Sequence, residues 1–181
     1  MFRGTNGNAS LRFPKPYDDI AIITATKTLK GHARLSDISV WDLRDNQVFG
    51  KELSSESQIH QLLFAKTQAK CVLHAHTPYL LALSCVCPIE SIKTLPIYEV
   101  ALLPFAIGFV GRYQPGSTQL ANAVAQAFEH LAQHNASVDT KGCLWMDGHG
   151  LLCWGEDMLT AFGILEEMEH LAMIALHGRS S

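Results

Sequence analysis

The run Cys71-Val72-Leu73-His74-Ala75-His76 constrains the fold of this chain more than any other segment. Its apolar residues read as a buried strand, and two histidines enter it two positions apart. Side chains at i and i+2 of a strand leave the same face, so both imidazoles reach toward one point. A third histidine, His149, stands far along the chain in Asp147-Gly148-His149-Gly150, a tight turn between the apolar segments 142–146 and 151–154. Three imidazoles with an open fourth position match a catalytic zinc-type site, because the opening admits water or substrate. Each histidine also has a plainer reading, as a hydrogen-bonded core residue. The His-x-His spacing, joined to a glycine-flanked histidine, favours the metal.

The length of 181 residues suits a single domain over 1–181, able to bury roughly two thirds of its unfolded surface. The formal net charge is −3 and no block of lysine or arginine occurs, so no nucleic-acid partner is expected. The longest apolar stretch, 101–110, is interrupted by Pro104 and Gly108 and is too short to span a bilayer. No membrane partner is expected, and the first residues lack the apolar core of a signal peptide. Of the five cysteines, Cys71, Cys143 and Cys153 fall on expected strands. They read as reduced core thiols, which places the protein in the cytoplasm. Cys85 and Cys87 are spaced more tightly than paired thiolate ligands of structural zinc usually are.

Residues 9–13 and 19–24 read as paired strands around a proline-containing turn, and 38–43 as a third strand. Ser54 or Ser55 caps an expected helix through Lys66, with Ile59, Leu62, Leu63 and Ala65 on its apolar side. The histidine strand covers 70–76, and Thr77-Pro78 opens another helix. Residues 97–110 are ambiguous between helix and strand periodicity and have room for two strands. Pro115-Gly116-Ser117 forms a turn and cap, followed by a helix whose inner face carries Leu120, Ala123, Val124, Ala127, Phe128 and Leu131. A hairpin of 142–146 and 151–154 holds His149. A long amphipathic helix over 158–176 turns Ala161, Phe162, Leu165, Met168, Leu171, Ala172 and Ala175 inward. Strands outnumber crossover helices, so an α/β fold with a mixed, largely antiparallel sheet flanked by helices is expected.

Glu56, in Leu53-Ser54-Ser55-Glu56, is the best acid–base candidate, although a carboxylate at a helix start is also ordinary dipole chemistry. His60 follows four residues later on the same helical face and is placed to pair with it. His130 and His134 stand one turn apart near a helix end, where they complement the dipole. The segment Gly4-Thr5-Asn6-Gly7-Asn8-Ala9-Ser10 is rich in glycine and amides, so its backbone N–H groups can cradle an anion, though Asn-Gly is equally a plain turn. Ser54 and Ser55 at a helix start offer further donors for phosphate. Lys27 and Lys30 are expected on a flexible loop nearby.

Taken together, Gly7-Asn8-Ala9-Ser10, Ile23-Thr24-Ala25-Thr26, Ser54-Ser55-Glu56, Val72-Leu73-His74-Ala75-His76-Thr77-Pro78-Tyr79 and Gly148-His149-Gly150 resemble the motifs of the class II aldolase/adducin family. The resemblance runs over nearly the whole chain, in the family's order. It implies that His74, His76 and His149 bind a divalent metal, most often zinc, and that Glu56 is the catalytic acid/base. It implies that Gly7, Asn8, Thr26, Ser54 and Ser55 hold a substrate phosphate. It also implies a three-layer α/β/α sandwich and a homotetramer with sites at subunit interfaces. Three departures stand out. The family's helix before the Gly-Asn segment is expected to be missing, Lys27 stands where glycine is frequent, and no C-terminal tyrosine follows the last helix. Tyr98 and Tyr113 lie in the region from which a neighbouring subunit's tyrosine would act.

The resemblance implies a metal-dependent lyase that cleaves or condenses a small phosphorylated sugar or hydroxy-ketone in an aldol reaction. Carbon–carbon cleavage beside a carbonyl leaves an enediolate, which a cation holding both oxygens stabilises as a Lewis acid. Decarboxylation of a 3-oxo-sugar-acid phosphate and dehydration of methylthioribulose phosphate are the sister reactions. Tyr113-Gln114-Pro115-Gly116 is similar to the decarboxylase branch and Ser-Ser-Glu to the aldolases. The alternative of another class is a non-catalytic, adducin-like binding module, which lacks the metal triad that this chain carries.

Overall fold

A computed structural model describes residues 4–178. Eight strands form one sheet: β1 Asn8–Arg12, β2 Ile20–Thr24, β3 Ile38–Asp42, β4 Val48–Phe49, β5 Cys71–Ala75, β6 Ala106–Val110, β7 Gly142–Met146 and β8 Gly150–Gly155. Their order is β4-β3-β2-β1-β5-β8-β7-β6, antiparallel throughout except for the parallel pair β6–β7. The helices are α1 Ser57–Lys66, α2 Pro78–Val86, α3 Tyr98–Ala101, α4 Thr118–Ala132 and α5 Met158–Gly178. No described helix is long and apolar enough to cross a membrane.

Strand alternation divides the core into two layers, one on each side of the sheet. Leu144 and Met146 of β7, with Leu152 and Trp154 of β8, meet Ile59, Leu63 and Phe64 of α1 and Leu120, Val124 and Phe128 of α4. Their neighbours Cys143, Trp145, Leu151 and Cys153 point the other way, onto Leu80 and Leu83 of α2 and Ile164, Leu165 and Met168 of α5. Every residue of β5, β7 and β8 is buried, as a strand covered on both faces requires. The result is the expected α/β/α sandwich.

Two of these helices are tied down by polar contacts distant in sequence. The Arg12 guanidinium donates to the carbonyls of Phe64 at 2.6 Å, Thr67 at 3.0 Å and Ala69 at 2.7 Å. Two carbonyls left over at the end of α1, those of Phe64 and Thr67, are thereby satisfied, and that helix is pinned to β1. Glu169 of α5 accepts the N–H groups of Tyr79 and Leu80, both at 3.0 Å, and so caps the start of α2.

The structure corrects the sequence reading in two places. Residues 97–110 hold one strand rather than two. Ile97 is extended, Tyr98–Ala101 makes a single helical turn closed by Leu102 N–H on the Tyr98 carbonyl, and β6 begins after Pro104. Glu56 itself, rather than Ser54 or Ser55, is the cap of α1; its side chain makes no cap bond because it turns toward Asn8, and Ser54 Oγ accepts the Glu56 N–H at 3.3 Å. In the loop bearing Lys27 and Lys30, Lys30 Nζ donates to the Thr28 carbonyl at 3.1 Å, and a 3-10 turn covers Lys30–His32. Lys27 is exposed and adopts a left-handed φ of 57°.

Candidate metal centre

His74 lies within β5, and His76 follows just after the strand, on the same face. Antiparallel pairing of β5 with β8 sets Ala75 opposite Leu151, which brings the turn before β8 alongside the histidine strand. That turn closes through His149 N–H on the Met146 carbonyl at 3.1 Å. Two glycines let it lie there. Gly148 takes a φ of +63°. At Gly150 a Cβ would stand 2.4 Å from the Ala75 carbonyl oxygen, so only glycine fits against the β5 backbone.

The three rings converge. Their centroids are 4.8 Å apart for His74–His76, 4.8 Å for His74–His149 and 4.9 Å for His76–His149. One ligand atom from each lies within 4.8 Å of the other two, and no other such group of histidine, cysteine or acidic residues occurs among the described residues. His74 Nδ1 faces the Leu151 carbonyl at 3.1 Å. A carbonyl only accepts, so Nδ1 carries the proton and Nε2 presents its lone pair inward. That lone pair meets His76 Nε2 at 2.9 Å. Glu56 closes the cluster, with Oε2 at 3.3 Å from His74 Nε2 and Oε1 at 3.0 Å from His149 Nε2. The latter approach is off-line, and Glu56 Oε1 and His149 Nδ1 are both buried with no hydrogen-bond partner.

The electrostatics fit a cation. Burial pushes His74 down to about 4, against the pull of Glu56, so its imidazole is neutral and available as a ligand at neutral pH. Burial likewise lowers His76, aided by His149. For Glu56, burial favours the neutral acid. Contact with His149, the charges of His74 and His149 and the Asn8 amide together outweigh it and hold the carboxyl below its usual range. Convergent imidazole nitrogens beside a buried carboxylate, with orphaned polar atoms among them, make a donor set suited to a divalent ion.

The residues expected around a phosphate stand on loops that contact one another. Thr26 N–H donates to the Glu52 carbonyl at 3.0 Å and Ala25 bridges Leu53 in antiparallel fashion, which sets Thr26 opposite Glu52, on the far side of Leu53 from Ser54. Lys30 N–H on the Gly4 carbonyl, at 3.0 Å, ties the turn preceding Gly7 to the same loop. Gly7 has a φ of 75°, and Ser55 packs under Gly116 at the start of α4. Asn8 is more deeply engaged than its neighbours. Its amide donates to Ser54 Oγ at 2.9 Å and to Glu56 Oε2 at 3.0 Å. His60 does not touch Glu56 as its spacing suggested; Asn8 stands between them, bonded to His60 Nε2. Tyr98 is 86 % exposed in a groove of about 480 Å³ with Leu102 and Leu159, whose lining includes none of the three histidines. Sequence reasoning missed Glu169 and the Arg112–Asp147 ion pair, 3.2 Å, that leans on Gly148. Their partners are too distant along the chain for any local signal.

Comparison with known proteins agrees with this picture. The model of the class II aldolase and adducin N-terminal domain matches residues 1–176. A 3-oxo-tetronate 4-phosphate decarboxylase of Haemophilus influenzae is 27 % identical over 94 % of this chain and 77 % of its own. A methylthioribulose-1-phosphate dehydratase of Xanthomonas campestris is 30 % identical, over 92 % of this chain and 76 % of its own. The solved structure of an L-fuculose 1-phosphate aldolase superposes with a TM-score of 0.74 at 26 % identity, covering 98 % of this chain and 77 % of that one. The sheet, the histidine cluster and these similarities lead to one assignment: this chain belongs to the class II aldolase/adducin N-terminal domain family.

Proposed function

We propose that the protein is a metal-dependent carbon–carbon lyase performing reversible aldol cleavage of a small phosphorylated sugar or hydroxy-ketone. The convergence of His74, His76 and His149 on one point beside Glu56 carries this reading. These histidines would hold the ion, which supplies Lewis-acid stabilisation of negative charge on the oxygens of a hydroxy-carbonyl unit. Glu56 then moves the proton at the carbon beside the carbonyl, taking it in one direction and returning it in the other. Gly7, Thr26, Ser54 and Ser55 receive the phosphate, and Asn8 borders them with both amide donors already committed. Binding energy at that remote group orients the reacting carbon. The relatives named above decarboxylate, dehydrate or cleave phosphorylated substrates, so the sister reactions belong to the same test. Zinc is the proposed metal and a homotetramer the proposed assembly.

The test begins with metal analysis of protein purified without chelator. Near-stoichiometric zinc or another divalent metal, lost in a His74→Ala/His76→Ala variant, is expected; metal-free protein favours the adducin-like binding module. Phosphorylated ketoses are then screened for carbonyl products, released CO₂ and dehydration. Glu56→Gln is expected to lower kcat by about 10²- to 10⁴-fold, the range of a positioned proton-transfer group. An unchanged rate removes Glu56 from the reaction.

A further inference from the structure

A buried polar chain leads into Glu56 through Asn8, the cross-strand neighbour of His74. Ser10 and Asn8 lie two apart on β1 and so share the face against α1. Ser10 Oγ is 2.6 Å from His60 Nδ1, and His60 Nε2 is bonded to Asn8 Oδ1. The Asn8 amide nitrogen continues to Ser54 Oγ and Glu56 Oε2. Ser10, His60 and Asn8 are 2, 0 and 3 % exposed, so water does not compete for these bonds.

The donor directions follow from chemistry. An amide oxygen only accepts, so His60 Nε2 must carry the proton. A neutral imidazole has no second one, so Nδ1 accepts and the Ser10 hydroxyl donates. Burial favours that neutral form of His60. An asparagine amide can turn over, exchanging its oxygen and nitrogen; here His60 in this tautomer and Glu56 together oppose it. A turned amide would set its NH2 against His60 Nε2–H and its oxygen against the Glu56 carboxylate, two repulsive pairs.

We propose that His60 is a positioning residue that acts through Asn8 to fix how Glu56 presents its carboxylate. Oε2 is held by the Asn8 donor, whereas Oε1, which faces His149 Nε2 at 3.0 Å without an aligned hydrogen bond, is the oxygen left to take the proton. In that step a substrate C–H bond breaks, its proton passes to Oε1, and the electron pair stays on the substrate. The inference rests on the reading of Glu56 as the proton carrier.

The test uses metal-loaded protein and two readouts. One is solvent exchange of the Asn8 side-chain amide protons, followed by NMR. The other is exchange of the carbon-bound protons of dihydroxyacetone phosphate, the smallest phosphorylated hydroxy-ketone, with D₂O. His60→Phe is expected to expose the Asn8 amide to fast exchange and keep its metal. Its kcat for substrate proton exchange should fall about 10- to 100-fold with KM within about threefold, as lost orientation predicts. His60→Gln, which can donate to Asn8 Oδ1, should recover most of both. Should His60→Phe not fold, Ser10→Ala removes the hydrogen bond that holds the His60 ring in place and is expected to lower kcat about threefold or more.

A folded His60→Phe with a protected Asn8 amide, or with kcat within twofold of wild type, overturns the proposal, as does a folded His60→Gln no better than His60→Phe. Full activity in Ser10→Ala overturns it too. If wild type exchanges no substrate proton, the reading of Glu56 is at fault. The relay is then judged on the amide alone, and fast exchange in wild type or protection in His60→Phe sinks it.

Discussion

At the residue scale, two buried carboxylates are held ionised by different means, one in the site and one at the end of β3. Glu56 is buried among imidazoles and serves the site; Asp42 is held by a single arginine and serves the fold. Hydrogen bonds from the Arg44 side chain, then from its backbone N–H, pull the Asp42 carboxyl from 3.8 down to about 2, and the charge of Arg44 adds to them. Arg44 reaches Asp42 at 2.7 Å and Asp19 at 2.9 Å, linking the end of β3 to the residue just before β2. Asp42 is more acidic folded than unfolded, so its contribution to stability is present above the ordinary carboxylate range. It fades as pH falls from 3.8 through about 2. Asp42→Asn should therefore leave a shallower loss of Tm over that acid window, measured by thermal melts at stepped pH. An acid limb identical to wild type would show that the Arg44 bonds do not survive in solution.

At the element scale, the turn between β7 and β8 decides whether a histidine from one end of the chain can meet two from the middle. Its two glycines do different work. Gly148 needs its left-handed backbone, but a Cβ there meets only the flexible Arg112 side chain, 2.8 Å away at its nearest atom. Gly148→Ala should cost about 1 kcal/mol for the strained φ and keep metal binding. Gly150 has no such relief, because a Cβ 2.4 Å from the Ala75 carbonyl oxygen must push β5 and β8 apart. Gly150→Ala should lower stability by about 2–4 kcal/mol, in the range of overpacking with backbone displacement, and abolish metal binding even where the protein still folds. Denaturant unfolding and metal analysis of the two variants side by side measure the contrast. Equal effects would mean that conformational strain, not strand approach, governs this turn.

At the scale of the whole molecule, the sequence disclosed what is local and withheld what is not. The apolar run 71–75 and the pair of apolar segments around His149 were legible as buried strands, because every position in them is covered. The histidine constellation was legible because a period of two on a strand is a geometric fact. The two-residue strand β4 and the single turn of α3 were not, since neither is long enough to show a period. The Ser10–His60–Asn8 chain was illegible for another reason: its members are separated by 50 and 52 residues and meet only once β1 lies against α1. The same topology bears on how metal and fold are coupled. Two apolar layers close over the sheet, and the histidines sit at one end of strands already paired along their length. An ion held there would join a scaffold whose packing lies elsewhere, unlike a zinc finger, which has no folded apo state. Chelation should leave the far-UV circular dichroism unchanged at 25 °C while lowering Tm. With metal at a hundredfold its Kd the linkage is about 2.7 kcal/mol. That corresponds to a shift of roughly 5–10 °C for a chain of this size. His74→Ala/His76→Ala should lose the metal-dependent shift while still melting cooperatively. Loss of secondary structure on chelation would instead mean that the ion holds the sheet together, and that the site is part of the fold rather than set upon it.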